Sequence, residues 1–282
     1  AGIGDNTSKV TKYDNPNRTL TDPYEGQQLG EIWGYVVDGY FKTDEEARNY
    51  KVDQSFVNQM INASALDNGL HAGDLKFVDL DGNNKIEQTT SANDRKDMKV
   101  IGNSLPRYNY NFGISADWYG IDFSVLFQGI GKQNWYPGAE TSMFWGPYSR
   151  PYASFIPSDF MSQVWSEENT NAYFPRPRGY VALGSNRELA VVNTKYLQNL
   201  AYCRLKNLSI GYTLPDKWLS KIGFEKIRVY FSGENLLTFT KLHSDYIDPE
   251  QASASNSWKT SKSDANIYPW AKTYSFGVDI TF

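Results

Sequence analysis

Alternation of apolar and polar residues at every second position is the main pattern along this chain. It is clearest in RYNYNFGISADW, residues 107–118, where every even position from Tyr108 to Trp118 is apolar and the odd positions are small or polar. A period of two places successive side chains on opposite faces of a β-strand. Similar patterns occur at 121–130, 200–214, 226–239 and 271–282, and a weaker one at 29–41. We therefore predict six strands, most with one apolar and one polar face.

The connections between these predicted strands alternate in length. Tyr119 and Gly120 form a tight turn, and 215–225 is a short link, whereas 42–106, 131–195 and 241–270 are long and polar. Short turns at one end and long loops at the other are typical of outer-membrane barrels. The predicted fold is all-β, with about six C-terminal strands of a large antiparallel transmembrane β-barrel with long extracellular loops. Such barrels begin at about eight strands and must close, so we expect further strands from a larger barrel.

The apolar–polar alternation shifts by one residue near Leu205 and again around Gly233. These shifts predict irregularities, such as a β-bulge, in two of the strands. Within the first long loop, TDEEARNYKVDQSFVNQMINAS predicts one or two short helices. Thr43 is the expected N-cap of the first helix, with Glu46 three residues later, as in a capping box.

Composition narrows the classes of function. The net charge of −4 and the absence of zinc-type Cys/His spacing give no basis for nucleic-acid binding. A single cysteine, Cys203, and two histidines exclude an internal disulfide framework and a histidine-rich metal site. No apolar run reaches the about 18 residues that a membrane helix needs. The aromatic share of 15% suits either the girdles of a membrane barrel or a carbohydrate-handling surface.

The segment DLDGNNKIE is the sharpest candidate metal site. Asp79, Asp81 and Asn83 occupy positions one, three and five of an EF-hand-like loop, which is oxygen spacing suited to calcium. Position twelve is Thr90, so the usual acidic ligand is missing, and Asp94 is the candidate replacement. The alternative is an Asp/Asn-rich turn that satisfies its own backbone. Calcium is the one cofactor that the sequence raises.

Aromatic side chains fall into two predicted groups. Those in proline-flanked loops either contact sugar rings or peptide side chains in a substrate vestibule, or anchor the loops to one another. The loop group comprises Trp135, Tyr136, Trp145, Tyr148 and Trp270. Alternating strand positions are expected to face lipid. The lipid-facing group comprises Tyr110, Phe112, Phe123, Val125, Phe127, Tyr274, Phe276, Val278 and Ile280.

Catalytic motifs are not found in the sequence. It contains no HExxH, GxSxG or P-loop pattern, and its two histidines have no nucleophile motif beside them. A hydrolase would depend on a carboxylate pair, and the spacing of the acids selects none. We predict that the chain is not an enzyme.

Several of these segments in order resemble a known family. GDLKFVDLDGNNKIE, the stretch from DRKDMKVIGN to VLFQGIGK, YCRLKNLSIGYTLP, IRVYFSGENLLTFT and TYSFGVDITF are similar to the C-terminal part of SusC/RagA-type TonB-dependent outer-membrane transporters. The likeness covers most of residues 28–282. It implies a barrel of about 22 strands around a plug, a SusD-like lipoprotein lid, and import of oligosaccharides or peptides with energy from TonB.

The resemblance also implies a division of the chain and a set of partners. Residues 1–27 would be an N-terminal loop segment and 28–282 the C-terminal part of the barrel, with the plug absent. The expected partners are the remaining N-terminal barrel and plug, the TonB complex through that plug, the SusD-like lipoprotein, and the barrel-assembly machinery, for which Phe282 would be the signal. The expected location is the outer membrane of a Gram-negative bacterium. The alternative is a soluble extracellular β-rich glycan-binding module with a calcium-stabilised loop.

Overall fold

A computed structural model describes residues 2–4, 8–58, 69–149, 155–184, 187–220, 223–252, 262–263 and 268–282. The strands are β1 (Gly2–Gly4), β2 (Glu31–Tyr35), β3 (Val37–Tyr40), β4 (Leu75–Phe77), β5 (Met98–Asn103), β6 (Arg107–Trp118), β7 (Ile121–Lys132), β8 (Asn134–Pro137), β9 (Gln198–Asn199), β10 (Tyr202–Thr213), β11 (Lys226–Thr240), β12 (Lys262–Ser263) and β13 (Thr273–Thr281). The helices are α1 (Asp44–Arg48), α2 (Ser142–Trp145) and α3 (Asp216–Leu219), with 3-10 turns at Gly146–Tyr148, Phe160–Gln163 and Tyr180–Leu183. Among the described residues, no helix has the length and apolar character needed to cross a membrane.

The principal sheet has six antiparallel strands in the order β1-β6-β7-β10-β11-β13. The tight turn predicted between β6 and β7 is present, with φ of 46° at Tyr119 and 84° at Gly120. Positive φ at both central residues is the backbone of a type I′ hairpin turn, which matches the twist of the flanking strands. A side chain at Gly120 would lie 2.8 Å from the carbonyl oxygen of Thr213, so the turn requires glycine there.

The register of this sheet places apolar side chains in continuous rows across the strands. Ala116, Phe123, Ile210, Phe231 and Phe276 are paired in succession from β6 to β13. All nine predicted lipid-facing residues lie on this same side, which we call the apolar face, by the alternation of side chains along each paired strand. The opposite side, the polar face, carries mainly small, hydroxyl, amide and charged side chains. The sheet therefore has two chemically distinct surfaces.

The slip predicted near Leu205 is confirmed as a register shift between Leu205 and Asn207 in both neighbours of β10. On β11 the same shift falls between Glu234 and Leu237, close to the second predicted slip. Extra residues of this kind bend a strand and increase its twist. These irregularities lie towards the end of the sheet where the long loops begin.

The prediction of one strand of the principal sheet at 29–41 is wrong. This segment forms two short strands, β2 and β3, which pair with β5 and β4 in two separate two-stranded sheets. Its weak alternation reflects packing on both sides, since Ile32 and Tyr35 are both buried. The sixth place in the principal sheet belongs instead to β1, which pairs with Asn109–Asn111 of β6. This strand lies within the predicted loop segment 1–27, and three residues are too few to show a period of two.

The hydrophobic core lies in the long loops rather than in the sheet. Buried apolar side chains from 35–86, 135–200 and 242–252 form one cluster, and we call these three segments the loop cluster. Its largest buried side chains include Trp135, Trp145 and Tyr196, and the rings of Trp145 and Tyr196 meet edge to face at 5.1 Å. Such aromatic contacts contribute stability beyond the area buried.

Buried charges join two of the long loops inside this cluster. Asp74, from the first loop, contacts both Arg176, at 2.5 Å, and Arg178 from the second loop. Glu188 lies 3.0 Å from the Nε atom of Arg178. Both carboxylates are fully buried, so these ion pairs hold the two loops in one arrangement.

Candidate functional site

The Asp/Asn-rich loop between β4 and β5 is organised by its own backbone amides. The two carboxylate oxygens of Asp79 accept hydrogen bonds from the amides of Gly82 and Asn84, each at 2.7 Å. Asp81 accepts from the amide of Asn83 at 3.1 Å. Asx-type hydrogen bonds of this kind are what the turn interpretation predicts, and they leave further oxygen lone pairs available.

The third carboxylate of this loop is that of Asp97, not Asp94. Side-chain oxygens of Asp79, Asp81 and Asp97 lie within 4.8 Å of one another. Asp97 is buried, and its two oxygens accept from the amides of Leu80 at 2.8 Å and Glu87 at 2.7 Å. Asp94, the predicted fourth ligand, is not a member of this group. Sequence reasoning missed Asp97 because it lies beyond the usual span of a calcium loop.

Asp94 and Asn83 have other roles in the described structure. The amide of Asp94 donates to the carbonyl oxygen of Ser91 at 3.2 Å, in a separate turn. Asn83 donates through its side-chain nitrogen to Asp81, and its side-chain oxygen accepts from the amide of Lys85 at 2.8 Å. Asp94 does not belong to the group of clustered carboxylates, whereas Asn83 contacts one of its members, Asp81.

The electrostatics of the acidic loop favour a cation. Burial raises the pKa of Asp97, and the neighbouring charges of Asp81 and Asp79 add to the rise. At Asp79, burial acts to raise the pKa, but hydrogen bonds from the amides of Asn84 and Gly82 outweigh it and the pKa is lowered. Three close carboxylates repel one another, and oxygen donors are the ligands that calcium prefers. The donor set therefore fits a calcium ion.

The structure separates the five predicted vestibule aromatics into two groups. Four of them are buried inside the loop cluster: Trp135, Tyr136, Trp145 and Tyr148. The hydroxyl of Tyr148 donates to the carbonyl oxygen of Pro175 at 2.7 Å, and the indole nitrogen of Trp145 donates to that of Gly138 at 2.9 Å. These four side chains present no free face for a ligand, so their placement favours the loop-anchoring interpretation over substrate contact.

Trp270 is the exception, because half of its surface is exposed. Its backbone amide donates to Asp248 at 3.3 Å, and its indole nitrogen donates to the side-chain oxygen of Gln251 at 3.3 Å. The ammonium group of Lys206 lies 5.6 Å from the centre of its ring. Trp270 is thus an exposed aromatic side chain held by several contacts.

A buried arginine fixes the loop beneath Trp270 to the sheet. Arg204, on the polar face of β10, is 2% exposed. It contacts Asp248 and Glu250 of the loop, each at 2.6 Å, and donates to the hydroxyl of Thr238 on β11 at 3.0 Å. Charge-assisted hydrogen bonds from one guanidinium group to two separate carboxylates fix the position of the loop that carries them. The described part of 241–252 is therefore held over the polar face at one end of the sheet.

A second charged group crosses the polar face at the other end of the sheet. Arg228 of β11 contacts Asp122 of β7 at 2.6 Å and Asp279 of β13 at 3.2 Å. The contact to Asp122 passes over Gly211 of β10, where any side chain would collide with the Asp122 carboxylate. The ion pairs of Arg204 and Arg228 were not predicted from the sequence. The charged residues at polar strand positions were the signal that could have indicated them.

None of the nine predicted lipid-facing side chains is buried: five are exposed, and Tyr110, Phe123, Val125 and Phe127 are partly buried. Phe276 is 82% exposed, Val278 57% and Ile280 47%, and no second sheet covers this face among the described residues. Phe282, beyond the end of β13, is 82% exposed, and its ring centre lies 5.3 Å from that of Phe224. A six-stranded sheet with one exposed apolar face and one polar face is the wall of a transmembrane β-barrel.

Comparisons with known proteins show similarity to one class of outer-membrane protein. No protein-family model matches the chain. Three proteins of Formosa agariphila are similar to it: TonB-dependent receptor P3, 29% identical over 92% of this chain and 22% of its own length; receptor P39, 26% identical over 92% and 25%; and receptor P26, 26% identical over 79% and 21%. The chain thus spans about a quarter of these relatives or less.

The solved structures agree on the fold. The RagAB peptide importer in its open-open state matches with a TM-score of 0.55 and 20% identity, over 96% of this chain and 24% of that one. Its closed-closed state gives 0.54 and 19%, over 97% and 25%. The resemblance of this chain to SusC/RagA-type TonB-dependent transporters is confirmed, and these relatives are named as receptors and importers rather than as enzymes.

Proposed function

We propose that this chain supplies part of the wall and outer loops of an outer-membrane transporter that imports oligosaccharides or peptides. The observation that carries the proposal is the two-faced sheet with a packed aromatic loop cluster at one end. In the proposed arrangement the apolar face contacts lipid, the polar face lines a watery passage, and the loop cluster lies outside the cell. The relatives named as TonB-dependent receptors support it.

The edges of the sheet support the participation of further strands. Among the described residues, β1 and β13 each have one neighbour in the principal sheet. Inside hydrocarbon, each unpaired backbone N–H or C=O group along a strand edge costs roughly several kcal/mol. We therefore infer that both edges pair with the remaining N-terminal barrel portion, and that its plug connects the passage to the TonB complex. No nucleic acid is involved.

Two further partners belong to this proposal. A SusD-like surface lipoprotein would dock on the loop cluster, as the resemblance implies. The barrel-assembly machinery would recognise the end of β13, where Phe282 is exposed on the apolar side. Both are inferred from the family and from the accessible positions of these residues.

The alternative of a soluble glycan-binding module is disfavoured by the apolar face. Ile114 and Trp118 on β6 and Phe276 on β13 are 59%, 69% and 82% exposed, in one continuous surface. Apolar patches larger than a few hundred Å² are rare on monomeric soluble proteins, and in water they promote association. A bilayer removes that penalty.

The proposal is tested by fractionation and uptake in the source bacterium. The full-length protein is expected in the outer-membrane fraction, and deletion of its gene is expected to abolish uptake of one class of oligosaccharide or peptide. Complementation with the intact gene serves as the control. Recovery of the folded protein from the soluble fraction without detergent would contradict the proposal.

We also propose that the carboxylates of Asp79, Asp81 and Asp97 bind calcium and stabilise the loop between β4 and β5. A ligand whose free concentration is about a hundred times its dissociation constant stabilises the folded state by about 2.7 kcal/mol. Asp81→Asn removes one exposed carboxylate of the cluster, and Asp94→Asn is the matched control outside it. We expect calcium to raise the unfolding temperature of the full-length protein and of D94N, and D81N to lose most of that rise. Equal responses in both variants would contradict the site.

A further inference from the structure

Two adjoining cavities lie on either side of the outer loop that Arg204 holds over the sheet. One, of about 100 Å³, lies against the loop cluster. The other, of about 220 Å³, lies over the polar face beside β11. Ser244 and Asp245 line both cavities. The two spaces therefore form one interrupted groove that runs from the loop cluster to the polar face.

Each cavity contains one partly exposed aromatic side chain. Tyr246 lines the smaller cavity and is 44% exposed, with its ring held edge to face against Phe155 at 4.6 Å. Trp270 lines the larger cavity and is 52% exposed. Both rings are partly open to solvent, so each offers apolar ring surface for stacking.

Uncharged polar groups complete the larger cavity. The hydroxyl-bearing side chains of Thr238 and Thr240 line it, together with the amide side chain of Asn235. The nitrogen of Asn235 donates to the carbonyl oxygen of Ala271 at 3.3 Å, but its side-chain oxygen is buried and has no hydrogen-bond partner in the described structure. These three side chains give the wall of the larger cavity a polar, uncharged character.

Few free charges face the groove. Arg204 and Asp248 neutralise each other at the edge of the larger cavity. Asp159, Asp245 and Lys272 also line the cavities and form no ion pair within the described parts of the chain. Two free carboxylates against one ammonium group disfavour an anionic ligand and provide acceptors for hydroxyl groups.

The size of the cavities indicates how much of a ligand each one could hold. Sites for small organic ligands usually measure about 300 to 1,000 Å³, and each cavity here is smaller. Each therefore suits a single ring-sized unit, and the pair suits two units of one chain. One recurring mode of peptide binding, addition to a free strand edge, is not open at this groove, because β11 already has β10 and β13 as neighbours.

We propose that this groove binds a neutral oligosaccharide, with one sugar ring stacked on Trp270, another on Tyr246, and Asp245 accepting hydroxyl groups from both. Sugar rings combine an apolar face with a rim of hydroxyl donors, which matches an aromatic platform beside threonine, amide and carboxylate groups. The inference rests on the proposed import function, because it places the polar face along the passage, and it selects glycan over peptide as the cargo.

The test is a binding titration of the full-length protein purified in detergent. The probes are maltohexaose, cellohexaose and laminarihexaose, with an uncharged hexapeptide as the competing class. At least one hexasaccharide is expected to bind the wild-type protein, and Trp270→Ala is expected to weaken that binding about tenfold, with Trp270→Phe retaining part of it. Tyr246→Ala is expected to weaken it as well.

Trp218→Ala is the matched control, because Trp218 is 60% exposed but lies on α3, at the opposite end of the sheet. This variant is expected to bind the hexasaccharide as the wild type does. The inference is overturned if no hexasaccharide binds, if W270A binds as tightly as W218A, or if only the hexapeptide binds and does so through Trp270.

The same variants separate this inference from the transport proposal. If transport itself is wrong, deletion of the gene leaves uptake unchanged. If only the groove is wrong, deletion abolishes uptake while W270A cells take up the same cargo at the wild-type rate. Loss of both binding and uptake in W270A, with correct outer-membrane assembly, supports the glycan groove.

Discussion

The six-stranded sheet and the loop cluster use the same aromatic and aliphatic residue types in opposite ways. In the sheet, Phe276 and Ile114 are 82% and 59% exposed. In the loop cluster, Trp135 and Trp145 are completely buried. The loop cluster therefore carries its own hydrophobic core, whereas the apolar face of the sheet has none of its own and depends on an external apolar phase.

The difference shows where each region obtains its stability. Burial of the aromatic side chains, each hiding about 150–250 Å², stabilises the loop cluster in water. The sheet is stabilised by its ladder of backbone hydrogen bonds and by lipid contact, since hydrocarbon does not compete for those bonds. Substitutions in the two regions are expected to act through different mechanisms.

The largest effect is expected in the core of the loop cluster. Trp145→Ala removes a fully buried indole ring that contacts Tyr196 and Phe144, and such truncations cost about 3–5 kcal/mol. We expect the free energy of unfolding of the loop cluster to fall by about 3–5 kcal/mol. Denaturant titration of the full-length protein in detergent measures this loss. The control is Trp218→Ala, at an exposed position. An equal loss in both variants would contradict an internal core in the loops.

A charge on the apolar face tests the role of lipid. Arginine near the middle of a lipid-facing strand costs about 2–4 kcal/mol in a bilayer. Ile114→Arg is therefore expected to lower barrel stability by that amount, measured by urea unfolding in phospholipid vesicles. Ser115→Arg, at the next position but on the polar face, is the matched control and should have a much smaller effect. If the order of the two variants were reversed, the assignment of the faces would be wrong.

The smallest effect concerns the buried charges of the loop cluster. Burial raises the pKa of Glu188 to about 7, although the charge of Arg178 opposes the rise. Between its ordinary value and about 7 the folded state binds a proton that the unfolded state releases, so stability falls as the pH rises through this range. The change from pH 6 to pH 7 is about 1 kcal/mol.

Thermal unfolding at these two pH values, followed by tryptophan fluorescence, measures this change. Glu188→Gln is expected to remove this part of the pH dependence, whereas Glu167→Gln, at an exposed acid, should retain it. A pH dependence that persists unchanged in E188Q would contradict the assignment of this titration to Glu188.

Local sequence patterns predicted one set of features well. The strands 107–118 and 121–130, the tight turn between them and the helix cap at Thr43 are all present, with Thr43 accepting from the amide of Glu46 at 3.1 Å. Each of these depends on residues close in sequence, so periodicity and capping rules describe them directly.

Other features depended on contacts between distant segments. The place of β1 in the sheet, the burial of Trp145 and the participation of Asp97 in the acidic loop are not visible in any local window. The exposure of Trp270 and the burial of Trp135 also depended on distant contacts. Both residues lie in similar proline-flanked segments, so the local sequence does not distinguish them.

The sequence by itself determined the two faces of the strands, because side chains alternate along any β-strand and the polarity of each residue is fixed. The tertiary structure decided which loop side chains are enclosed, which strand takes the sixth place and which carboxylates meet. Those outcomes depend on the packing of loops far apart in the chain, and the free energy of that packing is set by long-range contacts rather than by any local pattern.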